Sequence, residues 1–356
     1  MLEMIREAEQ ELLHYPERSM GYYVKRRLKL IMGRGAEPVD KINWPNGLLA
    51  KGLIDYYLGH MNSEEAREIR ETLQTYYDGW IKSGHKMYYL DDALSGLALI
   101  ELHQITGEER YKQAADEMMR FLSFHITDKA GSLLYRPNQK NGYIFADSIG
   151  MICPFLCKYG NLYGDAKATH LAVTQIQNFI DFGMDSKTGL PYHGYKFEDG
   201  LKYGIIGWGR AVGWLMMGMS ESLAFMEELS PDYEYIKQIY RRLVDKVESY
   251  QLENGLYCWQ LGAKEGPVDT SATAMILYSI AQSLNLKVLI GIHKSRMVRG
   301  KEALFSLVKE GKLDHCLAEC QGFSMYPQVY GAYPWSLGPA LSLFAITDDK
   351  NKEKKV

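Results

Sequence analysis

The sequence predicts an all-α fold, an (α/α)6 barrel of six helical hairpins, and three observations carry that prediction. Apolar residues recur three and four apart, as at Leu97 and Ile100 or Leu243, Val244 and Val247, whereas strand-like alternation is scarce. Two kinds of helix alternate, one apolar and rich in small residues, the other amphipathic and charged. The apolar helices start near Gly47, Asp92, Asp147, Arg210, Asp269 and Trp335, roughly 45 to 66 residues apart, room for two helices and their turns. One catalytic domain over residues 1–356, with no linker or second domain, is the expectation.

Each pair follows from its residues. The helix from Gly47 (GLLAKGLIDYYLGHM) carries small and apolar side chains nearly all round, which suits an inner layer. Its successor, NSEEAREIRETLQTYYDGWI, is charged on one face, with Asn62 as a start signal. The second pair joins DALSGLALIELHQITG to EERYKQAADEMMRFLSFHI, and the third opens with DSIGMICPFLCKYG. The fourth joins RAVGWLMMGMSESLAFM to DYEYIKQIYRRLVDKVESY, which Pro231-Asp232 starts. DTSATAMILYSIAQSL and WSLGPALSLFAIT are the last two inner helices. Short segments such as GSLLYRP, TGLPYHGY and NGLYCWQL read as loops or small hairpins that return the chain to one end. All inner helices then start at that end, which brings Asp91, Asp92, Asp147, Arg210 and Asp269 together.

Composition narrows the function. The formal charge of −3 gives no basic surplus for nucleic acid or an anionic membrane surface. No run of about 18 apolar residues is present to span a membrane, and the N-terminus shows no secretory signal, so a cytoplasmic protein is expected. Five cysteines is an odd count that fits a reducing compartment. Cys153/Cys157 and Cys316/Cys320 share an i, i+4 spacing, but without knuckle-type turns they read as buried thiols rather than a zinc site. Aromatic residues make up 12%, with 26 Tyr against 11 Phe, a surplus of flat apolar faces with polar edges.

An acidic ring with an arginine, edged by Tyr, Trp and His, has the composition of a carbohydrate pocket. Each acid at a helix start has a second reading as an N-cap that satisfies free backbone N–H groups. Asp147 stands apart, because Tyr143-Ile144-Phe145-Ala146 before it would favour a protonated carboxyl. Arg210 lies between Trp208 and Trp214 in GWGRAVGW; it either pairs with a converging aspartate or captures a substrate carboxylate. His193, flanked by Tyr192 and Tyr195, reads equally as a loop histidine or a sugar contact. The aromatic rim expected around Asp147 and Arg210 comprises Tyr88, Tyr89, Tyr143, Tyr192, Tyr195, Trp208, Trp214, Tyr330, Tyr333 and Trp335. Met216, Met217 and Met219 read as core filler. No phosphate-binding Gly-rich loop, G-x-S-x-G or H-E-x-x-H occurs.

Four segments, spanning about residues 44 to 282 in order, resemble the unsaturated rhamnogalacturonyl hydrolases and their unsaturated glucuronyl hydrolase relatives, glycoside hydrolase families 105 and 88. They are YYLDDALSG with its following helix, RPNQKNGYIFADSIGMICPFLCKYG, HGY with GWGRAVGW, and DTSATAMILYSI. The resemblance implies an (α/α)6 barrel that removes a 4,5-unsaturated uronic acid from lyase-generated oligosaccharides, rhamnogalacturonan-type products of pectin degradation foremost, by hydrating the vinyl ether. It implies no metal and no cofactor. Asp147 matches the general acid/base and Asp91 the second acid, with Asp92 one residue away. Tyr143, His193, Trp208, Arg210, Trp214 and Asp269, with Asp92, are the implied substrate-binding set. The expected partner is an oligosaccharide bearing the unsaturated uronic acid, and the expected state a monomer or weak homodimer.

Two departures accompany the resemblance. Val212 replaces an asparagine of the family's Arg-Gly-Asn-Gly-Trp, and CQGFSMYPQVYGAYPWSLG is richer in aromatics than the family's usual closing segment. The rival readings are another (α/α)6 glycosidase using Asp147 with Asp91 or Asp269, a sugar epimerase, and a sugar-binding barrel without catalysis.

Overall fold

The computed structural model describes residues 1–14, 20–32, 42–136 and 142–348. Six helices form the inner ring: α3 (Trp44–Gly59), α5 (Gly96–Thr106) with a 3-10 turn before it (Leu90–Ser95), α7 (Ala146–Tyr163), α9 (Gly209–Leu223), α11 (Thr270–Asn285) and α13 (Pro334–Ile346). Each packs on the next, and α13 packs back on α3, so the ring closes. The outer layer is α1 (Leu2–Leu13), α4 (Glu64–Lys82), α6 (Glu109–Ser123), α8 (Ala166–Gly183), α10 (Pro231–Glu248) and α12 (Lys294–Ser306). A further helix, α2 (Met20–Ile31), joins α1 to the segment before α3 and exposes Met20, Val24, Leu28 and Ile31.

The (α/α)6 barrel is thus the expected one, with a difference in how the last pair is made. Five hairpins run inner to outer along the chain, whereas α13 near the C-terminus shares its outer cover, α1, with α3. The first and last described helices therefore meet, and α13 closes the ring against α3. Small residues allow this seam: a Cβ at Gly52 would collide with the Gly338 carbonyl, and one at Gly338 with the Leu48 carbonyl.

Outer helices bury one stripe, as α4 does with Ile69, Leu73, Tyr76, Tyr77 and Trp80, and leave charges in solvent. Their starts carry side-chain caps: Ser63 accepts from the Ala66 N–H and Ser230 from the Tyr233 N–H, with Pro231 in the first turn. Deeper in the ring, Lys51 forms ion pairs with Asp55 (2.6 Å) and Glu221 (2.8 Å), and Tyr278 donates to Glu221. Among the described residues no helix is long and apolar enough to cross a membrane.

Short strands sit at the end where the inner helices begin. β1 (Ile144–Phe145), β2 (Gly194–Lys196) and β3 (Leu201–Tyr203) form one antiparallel sheet, with Phe145 opposite Gly194 and Gly194 opposite Tyr203. β4 (Val308–Lys309) pairs with β5 (Lys312–Leu313). β6 (Cys316–Leu317) pairs with β7 (Tyr330–Gly331) and carries the 318–329 segment over the ring mouth.

Candidate active site

A cavity of about 210 Å³ opens at the helix-start end of the barrel. It is lined by Trp44, Tyr135, Arg136, Phe145, Asp147, Met151, His193, Trp208, Arg210, Glu319, Cys320 and Gly322. These residues come from three inner helices or the residues before them and from three returning loops, which is why no local stretch of sequence contains the site.

Asp147 and His193 are placed by the β1–β2 pairing. Asp147 is the second residue of α7, directly after β1, and His193 precedes β2. The Ala146 N–H donates to the His193 carbonyl at 2.9 Å, which locks the two neighbours together. His193 Nε2 then lies 3.1 Å from Asp147 Oδ2, but the pair is not aligned as a hydrogen bond. Both atoms are buried and lack a hydrogen-bond partner among the described residues. Buried polar atoms without partners are rare and unfavourable, so a pair of them facing a cavity marks where a ligand or water completes the network.

The other imidazole nitrogen is held. Tyr326 Oη is 2.8 Å from His193 Nδ1 and accepts from the Ile205 N–H at 3.4 Å. Trp208 and Phe145 pack edge-on against the imidazole, and Phe323 stacks on Phe145 at 4.3 Å between ring centroids.

Two guanidinium groups reach the cavity. Arg136 makes a bidentate pair with Asp91, at 3.1 and 3.0 Å, and packs over the Tyr89 and Tyr135 rings. Tyr135 donates to the same carboxylate at 2.9 Å. Arg210 donates to the carbonyls of Leu317 (2.8 Å) and Ala318 (2.9 Å), and its Nη1 is 3.9 Å from Asp269 Oδ2. Its guanidinium also lies over the Trp208 ring. Glu319 adds a carboxyl at the exposed mouth. Burial by the surrounding atoms pushes Glu319 up, against the pull of Arg210 and a hydrogen bond from Trp44.

The expected residues divide. Asp147, His193, Trp208 and Arg210 line the cavity. Asp91 does not; both its oxygens are engaged by Arg136 and Tyr135, so it acts on the cavity only through that arginine. Asp92 does not line it either; its carboxylate accepts from the Tyr88 and Tyr89 N–H groups at 2.9 and 3.1 Å. Asp269 takes the N-cap role: Oδ1 accepts from the Ser271 N–H and hydroxyl and from the Leu317 N–H, and the residue is fully buried. Trp214 is a packing residue, pressed against Gly150 and edge-on to Trp44. Tyr143 packs edge-on against Tyr203 and Phe323, outside the lining.

Of the expected aromatic rim only Trp208 lines the cavity; Tyr195 is buried with its hydroxyl on Ser132, and Trp335 donates to the Leu317 carbonyl. Val212 is fully buried within α9 and does not face the cavity. Residues 137–141 of the Asp147 motif lie outside the described residues. Sequence reasoning missed Arg136, Trp44, Glu319 and Tyr326. The available signals were the Trp-Pro pair opening α3, the arginine in the loop before β1 and the aromatic closing segment.

Cys153 and Cys157 are buried on α7, where burial pushes both thiols up, the second to about 12. Among the described residues no three His, Cys, Asp or Glu side chains are grouped to hold a metal ion.

Comparison with known proteins places this arrangement. The model of the family described as Glycosyl Hydrolase Family 88 matches residues 17–339. The chain is 24% identical over 327 residues to the unsaturated rhamnogalacturonyl hydrolase YesR of Bacillus subtilis, covering 88% of this chain and 90% of that one. A solved structure described as a possible GH105 member from Klebsiella pneumoniae superposes with a TM-score of 0.82 at 17% identity, covering 96% of this chain and 91% of that one. A family 105 glycoside hydrolase from C. acetobutylicum gives 0.73 at 20% identity, covering 91% and 99%.

Proposed function

The chain belongs to glycosyl hydrolase family 88 and is a glycoside hydrolase, and from that premise we propose that it removes a 4,5-unsaturated uronic acid from short lyase-generated oligosaccharides. The observation that carries this reading is the Asp147 carboxyl, with an unpartnered oxygen 3.1 Å from His193 in a cavity that two arginines border. The unsaturated ring is a vinyl ether, so one carboxyl suffices to run the reaction as a hydration.

Asp147 in its acid form gives a proton to C4, forming the C4–H bond as the C4=C5 π bond breaks. Positive charge develops at C5 and the ring oxygen. Asp147, now a carboxylate, takes a proton from the water that adds to C5, and recovers its acid form. The resulting hemiketal opens to a C5 ketone, and the hemiacetal left at C1 releases the remaining sugar. Net, one water is consumed and no group leaves the enzyme altered. His193 orients Asp147 and the water, held in turn by Tyr326. Arg136 and Arg210 supply positive potential for the uronate carboxylate, and Trp208 and Phe145 wall the ring. Asp91 keeps the Arg136 fork in place.

The engagement of Asp91 and Asp269 speaks against a two-carboxylate glycosidase built on them, and a lone cavity histidine speaks against an epimerase. The relative from Bacillus subtilis supports a rhamnogalacturonan-derived substrate, a product of pectin degradation. The barrel acts as one catalytic unit, as a monomer or weak dimer, and its unpaired cysteines suit the cytoplasm. The test is incubation with lyase-generated unsaturated disaccharides while the ultraviolet absorbance of the conjugated double bond is followed. Loss of absorbance supports the reading. No loss across a panel of uronides sinks it, and cleavage of saturated substrates instead assigns an ordinary glycosidase.

A further inference from the structure

The charges around the cavity do not balance. Arg136 is already neutralised by Asp91 in a bidentate pair, and Arg210 has Asp269 at 3.9 Å. That leaves two carboxyls without a cationic partner of their own, Asp147 inside and Glu319 at the mouth. When Asp147 carries the proton that the reaction needs, Glu319 is the remaining negative charge.

Its position is built rather than incidental. The two residues before it, Leu317 and Ala318, have their carbonyls held by the Arg210 guanidinium, and Trp335 donates to the Leu317 carbonyl as well. On the far side, the Gln321 N–H donates to the Met325 carbonyl at 2.8 Å and closes a turn. Trp44 lines the same cavity. Glu319 therefore sits within the field of both arginines because one of them anchors its backbone.

We propose that Glu319 is a specificity-determining residue, a fixed carboxylate at the cavity mouth that competes with the substrate's uronate for the field of Arg136 and Arg210. The cavity then accepts an anionic sugar more readily once the Glu319 charge is removed, while a neutral sugar is indifferent to it. This rests on the uronide reading for its ligand. The titratable and charged groups facing Glu319 are Arg136 and Asp91 from the segments before β1 and α5, Asp147 from α7, His193 before β2, Arg210 from α9 and Cys320 on its own segment.

The experiment measures binding in an Asp147→Asn background, which blocks turnover. Calorimetry at about pH 8 compares the unsaturated disaccharide with its uronate methyl ester, with and without Glu319→Gln and Glu319→Asp added. The expected result is that Glu319→Gln raises uronate affinity about three- to tenfold relative to the ester, whereas Glu319→Asp, which keeps the charge, does not. A uronate-to-ester ratio that Glu319→Gln leaves unchanged or lowers overturns the proposal, as does an equal gain with Glu319→Asp or no uronate binding at all. Turnover by the wild type is scored separately. If it consumes no unsaturated uronide but the binding pattern appears, the hydrolase reading of the substrate fails and the role of Glu319 stands.

Discussion

Two of the places where the barrel buries charge differ in how completely the charges are matched. Deep in the ring, Lys51, Asp55, Glu221 and Tyr278 tie α3 to α9 and α11, and none of their buried side-chain atoms lacks a hydrogen-bond partner. At the helix-start end, Asp147 Oδ2, His193 Nε2, Trp208 Nε1 and Asp269 Oδ2 are all buried without one among the described residues. Both clusters are ionic, so charge alone does not distinguish structure from function. Saturation beside a cavity does: the matched cluster has no unmet valence for a ligand, whereas the unmatched one borders the cavity, as the equally unpartnered Glu248 Oε1 and Asp128 Oδ2 do not.

The largest way to break this contrast is Asp147→Asn. Turnover is expected to fall by about a thousandfold or more, within the range of general acid–base catalysis, while the thermal midpoint holds or rises. Rate assays and melting curves on one preparation check both halves. A loss of stability matching the loss of rate would put Asp147 in the structural class.

Next comes Lys51→Met, which leaves Asp55 and Glu221 facing each other in the core. A loss of about 3 to 5 kcal/mol in denaturant unfolding is expected, the usual scale for breaking a buried pair from one side. The pH dependence follows from the same residue. Burial alone would lower the Lys51 pKa, but Asp55 and Glu221 outweigh it and hold the amine above its ordinary value. Its stabilising contribution is complete below the unfolded value of about 10.4 and declines as pH rises beyond it. Wild-type stability should therefore fall more steeply than that of Lys51→Met in alkaline melts.

Asp91→Ala sharpens the comparison at intermediate size. Without its partner the Arg136 fork loses its fixed place, and KM for the uronide should rise about 10- to 100-fold with a smaller change in kcat. Equal losses in kcat and kcat/KM would instead mean that Asp91 takes part in the chemical step. The smallest effect is expected from Asp92→Ala, about 1 kcal/mol of stability from two backbone N–H groups left uncapped, read by melting curves.

Much of the ring was legible in the sequence because helix period and small residues are local signals. The starts inferred at Asp147, Arg210 and Asp269 fall within two residues of the helices found. Asp147 and His193 were legible because a strand pairing of only two residues brings them together. Asp92 and Asp269 hold backbone N–H groups outside the cavity lining, which the sequence does not reveal for a physical reason: an acid at a helix start has the same sequence appearance whether it caps backbone or faces a cavity, and only the partner atoms decide. Arg136, Trp44 and Glu319 were missed because their places depend on distant bonds, such as that of Arg210 to the Leu317 and Ala318 carbonyls 107 and 108 residues away.

The most direct measurement follows double-bond absorbance and release of the reducing sugar together, in a single turnover of an unsaturated disaccharide by the wild-type protein. Hydration by one carboxyl requires the absorbance to fall before, or in step with, sugar release. Release of the sugar ahead of the absorbance loss would mean displacement at the anomeric carbon and would contradict the account.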